Sequence, residues 1–420
     1  MNWSKVAKKL REKIAQFSGV VAQGLDKTAN RFIREAFYGI LSSQSVMLTE
    51  IGRSLETNVR LKKIEERFCR QLAKEEIWEG VHRGILSEAA DRLKDDTLLI
   101  LDLGDIQKRY ARSMEYLADV RDGSEKTIGR GYWTNQVIGA NLASDQVIPL
   151  YQALYSQNAP DFESENDEIL KAIDLVSEYT GTRGIWVIDR GGDREMLYKP
   201  MIKAGRRFII RLRGDRHLLF GRQKKAALEL ARKCSCMYRD TVVRQIDGKE
   251  KVHRIQYGYR KVRLPFAPDS ILYMVVIKGF GEKPLMLLTT EPLARSRKSL
   301  HRILRAYLKR WSIEETIRFL KQSYDLENIR VLSYTRLKNM MALLLGVFYF
   351  MAVKIDQQSK LKILAAHILK ASKRVFGIPD FKYYALGAGI SNIFGRSPGR
   401  IIDKAKSAVH DLQPSLFDPP

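Results

Sequence analysis

Two short apolar runs in the chain each end in an aspartate. The run in "TLLILDL" leads to Asp102, and the run in "GIWVIDRGGD" leads to Asp189. A short, uninterrupted apolar run predicts a strand that is buried on both faces of a sheet. A carboxylate at the end of such a strand needs a cation or hydrogen bonds, because burying it without them is costly. Either aspartate alone could be a turn or helix-cap residue; together they predict functional groups at one edge of a sheet.

The patterns around these two runs predict a mixed α/β fold. Two β-like stretches, "GRGYWTNQVIGANLAS" and "QVIPLYQALY", follow Asp102. A helix is predicted in "NDEILKAIDLVSEYTG", beginning near Asn166 and Asp167 and ending before Gly181. After Asp189 come a glycine loop, a helix and the strand "RRFIIRLRG". Strands that alternate with helices in this order favour an α/β sheet.

The chain divides into five predicted segments. They are a helical DNA-binding region (1–92), the first part of the α/β core (93–219), a β-rich insertion (220–292), the second part of the core (293–355) and a helical C-terminal region (356–420). The first segment contains two helical patterns joined by a short turn, "LTEIGRSLE" and "VRLKKIEERFCRQLAK". This arrangement is typical of a helix-turn-helix DNA reader, although a small helical bundle has the same pattern. The last segment is the expected place of a dimer interface, and its tail "LQPSLFDPP" is expected to be disordered.

The composition indicates a polyanionic partner and a reducing compartment. Lysine and arginine outnumber aspartate and glutamate by 73 to 48, a formal net charge of +25. Such a surplus favours binding to nucleic acid, because neutralised phosphates release condensed counterions. The three cysteines (Cys69, Cys234 and Cys236) are too few and too poorly spaced for a disulfide framework or a four-ligand zinc site. The longest apolar run, 340–353, is too short to span a bilayer comfortably and predicts a buried helix.

The segment "YLKRWSIEETIRFLKQ" supplies a candidate third carboxylate. In a continuous helix from about Ser299 to Ser323, its residues Tyr307, Arg310, Glu314 and Lys321 share one stripe about 60° wide. The alternative without a function is a solvent-exposed stripe of spaced charge pairs. Glu315 and Arg318 leave it open, because they show that the segment carries other charged residues as well.

Phosphodiester chemistry requires this set of residue types. Mg²⁺ prefers oxygen ligands and keeps several waters, so Asp102, Asp189 and Glu314 suffice to hold a pair of ions. Two such ions about 4 Å apart activate a nucleophile and stabilise the leaving oxygen of an in-line displacement. The cations of the helix would then hold phosphate oxygens, and the tyrosine ring could contact phosphate, sugar or base.

These motifs resemble those of a known enzyme family. The spacing of Tyr307, Arg310, Glu314 and Lys321 resembles the Y-R-E-K signature of a large family of bacterial insertion-sequence transposases. "LLILDLGD" and "WVIDRGGDREM" are similar to the first-aspartate and second-aspartate motifs of that family, and "LMLLTTEPL" is similar to the segment before its signature helix. The resemblance covers most of residues 95–350.

The resemblance implies a DDE transposase with a ribonuclease-H-like core that a β-rich insertion interrupts. Its catalytic and metal-binding triad would be Asp102, Asp189 and Glu314, holding Mg²⁺ with Mn²⁺ as a substitute. The DNA ligands would be Tyr307, Arg310, Arg318 and Lys321. The implied partners are double-stranded DNA (the transposon terminal inverted repeats and the target) and a second copy of the chain. The expected location is the bacterial cytoplasm, at the nucleoid and not at a membrane.

The chain departs from the family pattern at two places. The first-aspartate motif reads Asp102-Leu-Gly-Asp105, so Asp105 is an alternative first carboxylate. A family tryptophan that stacks on a flipped base has no aromatic counterpart here, where Leu285 and Met286 stand. The rival functions are a ribonuclease-H-like nuclease that does not join strands and a non-catalytic DNA-binding repressor derived from a transposase.

Overall fold

The computed structural model describes residues 2–401, except 109, 110, 112, 122–126, 247, 248, 294, 295, 356–365 and 373–380; within 244–251 it describes the backbone alone. The helices are α1 (Trp3–Val21), α2 (Lys27–Ser43), α3 (Leu48–Ser54), α4 (Leu61–Leu72), α5 (Glu76–Ala89), α6 (Glu165–Thr180), α7 (Glu195–Lys203), α8 (Ala227–Arg232), α9 (Arg297–Lys309), α10 (Trp311–Ser323), α11 (Tyr334–Tyr349), α12 (366–371) and α13 (Tyr383–Arg396). The strands are β1 (Leu98–Gln107), β2 (Ala118–Arg121), β3 (Ile128–Ala140), β4 (Val147–Tyr155), β5 (Ile185–Ile188), β6 (Phe208–Arg211), β7 (His217–Phe220), β8 (Gln223–Ala226), β9 (Tyr238–Ile246), β10 (Lys249–Leu264), β11 (Ala267–Lys278) and β12 (Leu285–Thr289). The predicted tail "LQPSLFDPP" and the predicted Asp-Gly turn at 247–248 lie outside the described residues.

The core of the sheet contains three antiparallel strands followed by two parallel ones. β4 pairs with β3, and β3 pairs with β1, both antiparallel. β1 then pairs in parallel with β5, and β5 in parallel with β6. The core sheet is therefore mixed, and the prediction of a mixed α/β fold is confirmed.

The β-rich insertion continues the same sheet. β12 pairs antiparallel with β6, where Leu288 lies opposite Ile210, and β11 and β10 extend the sheet outward. β9 and β10 form a hairpin that begins at the paired residues Tyr238 and Tyr257. The insertion is therefore hydrogen-bonded to the core rather than tethered to it by loops.

The helix between the antiparallel and parallel strands begins at a well-formed cap. The Ser164 side chain accepts a hydrogen bond from the backbone N–H of Asp167, and acidic residues fill the first turn of α6. The helix ends at Gly181, whose φ of +62° favours glycine. The observed helix starts at Glu165, one residue before the predicted Asn166.

Helices from both ends of the chain pack around α11. The ring of Phe17 (α1) stacks on that of Tyr349 at 5.6 Å. A methyl group at Gly346 would overlap the ring of Phe37 (α2), so the glycine permits this close approach. Near the other end, Phe394 of α13 contacts Tyr38 of α2 with ring centroids 4.8 Å apart. The N-terminal helices thus share their apolar contacts with the C-terminal ones.

α11 continues through a short π-helical segment, Phe350–Lys354. The combined helix Tyr334–Lys354 is long and apolar enough to cross a membrane, but 89% of its apolar window is buried inside the protein. It is therefore the central helix of the helical layer, in agreement with the prediction of a buried helix at 340–353.

Candidate active site

Asp102 and Asp189 lie side by side on adjacent parallel strands. The parallel pairing of β1 with β5 ends where Leu101 lies opposite Ile188. The next residue on each strand is an aspartate, and neighbouring strands are about 5 Å apart. The side chain of Asp189 accepts a hydrogen bond from the backbone N–H of Gly191 at 2.6 Å, which fixes one of its two oxygens.

The prediction that Asp102 ends its strand was wrong. β1 continues through Gln107, because β3 pairs with it along its whole length. Only the other neighbour, β5, stops before Asp189. The carboxylate of Asp102 is therefore at the end of the parallel pairing rather than at the end of the strand.

Asp105, the alternative first carboxylate, has a different environment. It lies three residues beyond Asp102 on β1 and lines the same cleft. Its carboxylate is 3.3 Å from the ammonium of Lys321. Asp102, by contrast, interacts electrostatically with both Asp189 and Glu314. The geometry favours Asp102 as the partner of the other two carboxylates.

The predicted single helix from Ser299 to Ser323 is two helices. α9 ends at Lys309 and α10 begins at Trp311, with Arg310 at the junction. The stripe that the sequence predicted is interrupted at that point. Tyr307, on α9, is buried and lines a separate recess with Phe280 and Trp311 rather than the cleft of the carboxylates.

The remaining residues of the predicted set share one large cleft. It has a volume of about 1780 Å³ and is lined by Asp102, Asp189, Arg310, Glu314, Arg318 and Lys321, among others. α10 approaches β1 closely at Gly104, where a Cβ atom would lie 2.9 Å from Thr134 Oγ1 and 3.7 Å from Ile317. This packing brings the glutamate helix over the two aspartates.

Arg310 bridges two of the three carboxylates. Its Nη1 lies 2.8 Å from Asp102 Oδ2, and its Nη2 lies 2.5 Å from Glu314 Oε1. The arginine side chain is 10% exposed, whereas that of Glu314 is 47% exposed. The Nε of Arg310 is buried and has no acceptor among the described residues. The guanidinium thus fills the space between β1 and α10 with one donor unused.

Burial and charge repulsion disfavour ionisation of Asp102. Burial, opposed by Arg310 and reinforced by the charges of Asp189 and Glu314, raises the pKa of its carboxyl to about 7. For Arg310, burial lowers the pKa, but the attraction of Asp102 and Glu314 outweighs it, and the net pKa is above its ordinary value. The site therefore holds more negative charge than one guanidinium neutralises.

Two other cations of the cleft, Lys321 and Arg318, already have carboxylate partners. Lys321 lies 3.3 Å from Asp105 and 3.6 Å from Glu327. Arg318 is 57% exposed and pairs with Glu315 at 2.6 Å. A phosphate that binds these cations has to compete with those carboxylates, more strongly at Lys321 than at the exposed Arg318.

Lys108 is a residue of this cleft that sequence reasoning missed. It is buried, and its ammonium donates to the backbone carbonyls of Leu326, Glu327 and Ile329 at 2.8–3.3 Å. These contacts fasten the segment that follows α10 to the end of β1. A lone lysine after a strand pattern carries no sequence signal for such a role.

Comparison with known families identifies the family of the chain. A family model described as "Transposase DDE domain" matches residues 94–350, which is more than half of the chain and includes all three carboxylates. The protein belongs to the DDE transposase family. It is therefore a DNA transposase, an enzyme that acts on DNA, and the enzymes of this family use divalent metal ions.

Two further comparisons accompany this match. No curated protein matches the transposase sequence. Among solved structures, it is similar to a piggyBac transposase in a synaptic complex with hairpin DNA, determined by cryo-electron microscopy. That likeness covers 98% of this chain and 88% of the other, with 11% sequence identity and a TM-score of 0.44.

The donor set of the transposase fits a hard divalent cation. Asp102, Asp189 and Glu314 offer carboxylate oxygens only, the type of ligand that Mg²⁺ prefers. Within the described part of the chain, no three acidic, histidine or cysteine side chains are already arranged as a metal site. The physical reason is the guanidinium of Arg310, which lies between Asp102 and Glu314. The excess negative charge around it is what a divalent ion would neutralise.

Proposed function

We propose that this transposase cuts the ends of a mobile element and joins them to target DNA with Asp102, Asp189 and Glu314 as its catalytic carboxylates. The observation that carries the proposal is the convergence of these three groups, from distant parts of the chain, on one cleft. The three residues would hold Mg²⁺, or Mn²⁺ in its place. Such ions supply Lewis-acid charge for activating a water or a 3′-hydroxyl and for stabilising the leaving oxygen.

Arg310 has two alternative partners in this mechanism. In the protein alone it forms ion pairs with Asp102 and Glu314. The Y-R-E-K resemblance would not by itself predict these pairs. With DNA in the cleft, its planar fork suits two oxygens of a phosphate. The unused Nε favours this exchange, since a buried donor without an acceptor costs about 1–3 kcal/mol. Arg310 therefore holds Asp102 and Glu314 together in the protein alone and would turn to phosphate oxygens when DNA is bound.

Other residues would bind the DNA around this centre. We assign Lys321 and Arg318 to phosphates of the transposon end, and Tyr307 to a base or sugar that enters its recess. Residues 1–92 would read the terminal inverted repeat, with the exposed cations Lys62, Lys63 and Arg70 of α4 facing the DNA. A homodimer would hold two ends together, with 356–420 contributing to its interface, and the bacterial nucleoid would be its place of action.

Replacing Mg²⁺ with Ca²⁺ is expected to support DNA binding without strand cleavage. Ca²⁺ accepts the same oxygen ligands but tolerates looser and larger coordination, which suits binding more than in-line displacement. Cleavage of a labelled duplex that carries the element end, followed on a denaturing gel beside a gel-shift assay, measures both. Robust cutting in the presence of a chelator would contradict a metal mechanism.

Lys321→Ala is expected to weaken binding of the element end and to reduce the log–log salt slope by about one. The reason is the loss of one phosphate contact. The loss of affinity is partly offset, because DNA binding no longer has to break the ion pairs of Lys321 with Asp105 and Glu327. Fluorescence anisotropy between 50 and 200 mM salt, roughly the range over which such slopes are read, measures the effect. Lys338→Ala is the matched control, since Lys338 pairs with Asp161 outside this cleft. An unchanged slope for Lys321→Ala would remove Lys321 from the DNA interface.

A further inference from the structure

A second groove begins at Asp189 and leads away from the large cleft. Its first recess, of about 500 Å³, is lined by Asp189, Arg190 and Arg213 together with small residues. The next recess, of about 540 Å³, shares Arg213 with the first and continues to Lys224 and Phe266. Asp189 lines both the large cleft and the first recess. The two grooves therefore adjoin at a proposed catalytic carboxylate.

A buried aspartate builds the wall of this second groove. The side chain of Asp193 is fully buried. Its Oδ1 accepts from Arg216 Nε at 2.7 Å, and its Oδ2 accepts from the backbone N–H of Arg213 at 2.7 Å. Arg216 also donates to the backbone carbonyl of Asp193 at 2.7 Å. The loop that follows β6 is thus held at a fixed position beside the loop that follows β5.

The groove is basic, and three of its cations are exposed. Arg190 and Lys224 are exposed. Arg213 is 56% exposed and pairs with Asp215, itself 68% exposed, at 2.9 Å. Exposed pairs of this kind contribute roughly 0–1 kcal/mol, so a phosphate displaces the aspartate at little cost. The other carboxylate of the groove, Glu195, pairs with Lys199.

We propose that this second groove binds the phosphate backbone of the DNA strand on the far side of the reacting phosphate. The inference rests on the proposed function. A strand with its reacting phosphate at Asp189 has to leave the site in two directions, and the signature helix accounts for only one of them. Before cleavage, the strand that leaves in the second direction is the donor DNA that flanks the element. During joining, the strand that leaves in this direction is target DNA, because the attacked phosphate of the target occupies the same position.

The test compares element ends with and without flanking DNA. The variant Arg213→Gln/Lys224→Gln removes two cations of the groove but keeps the backbone N–H that Asp193 holds. We expect a salt slope lower by about two for a duplex that extends 20 base pairs or so beyond the element end, and an unchanged slope for a duplex that stops at the end. Lys171→Gln/Lys203→Gln is the matched control, since it removes two exposed cations from α6 and α7.

Joining of a pre-cut end to plasmid DNA separates the two sources of the strand. If the groove holds target DNA, the variant needs several-fold more plasmid for half-maximal joining; if it holds donor flank, the loss appears only with the extended duplex. Equal losses with extended and flush duplexes, or no loss in either assay, would overturn the proposal. Failure of the proposed function has a separate signature: the unaltered protein, with Mg²⁺, would neither cleave the extended duplex at the element end nor join the pre-cut end to plasmid DNA, while the binding comparison would still report on the groove.

Discussion

Glu314→Gln is expected to reduce strand cleavage by about 10⁴-fold while the affinity for the element end changes by less than about twofold. The amide has the size of the carboxylate but lacks the charge that a divalent ion requires. The side chain is 47% exposed and lies on the surface of α10, so the substitution leaves the fold intact. Single-turnover cleavage in Mg²⁺ and a gel-shift assay in Ca²⁺ measure the two quantities separately.

Glu315→Gln is the matched control for this experiment. Glu315 is the next residue of the same helix, is 40% exposed and pairs with Arg318 rather than with a residue of the triad. It should cleave at a normal rate. Normal cleavage by the Glu314 variant, or a loss of binding in step with the loss of cleavage, would show that Glu314 has another role.

Arg310→Ala is expected to destabilise the metal-free protein by about 3 kcal/mol and to increase its affinity for Mg²⁺. Without the guanidinium, Asp102 lies beside Asp189 and Glu314 with no bridging cation, and the pKa of Asp102 rises still further above its usual range. A divalent ion no longer has to displace an arginine from the site. Urea unfolding with chelator and with Mg²⁺, together with calorimetric titration of the metal, measures both effects.

The control for Arg310 is Arg318→Ala. Arg318 lies on the same side of α10, but its ion pair is exposed, so its loss should change the free energy of unfolding by about 0.5 kcal/mol or less. Its metal affinity should stay unchanged. Equal stability and equal metal affinity in the Arg310 variant and the unaltered protein would mean that the bridge neither stabilises the metal-free protein nor competes with Mg²⁺.

The sequence predicted the two aspartate-bearing strands because both apolar runs are short and are followed by turn residues, a pattern typical of buried strands. It could not predict that β1 continues to Gln107, because that extension depends on pairing with β3 and not on local pattern. Nor did it predict the break at Arg310, since the helical periodicity of residues 299–323 is continuous. The bridge from Arg310 to Asp102 joins residues that are 208 positions apart.

The attachment of the insertion was also invisible in the sequence. Its strands were predicted from their alternation, but the pairing of β12 with β6 makes them part of the core sheet. Lys108 was missed for a similar reason, because its three acceptors are backbone carbonyls, which every residue possesses. A sequence identifies the side chains, but it does not show which backbone groups they will bind.

The packing of both chain ends around α11 has a consequence for synthesis of the protein. The first helices leave the ribosome while α11 and α13 are still untranslated, and until then the ring of Phe17 lacks its contact with Tyr349 and the ring of Tyr38 lacks its contact with Phe394. A nascent or prematurely terminated chain therefore exposes an apolar helical surface that proteases and chaperones recognise. The ring contacts that join α1 to α11 and α2 to α13 form only after both of these C-terminal helices have been translated.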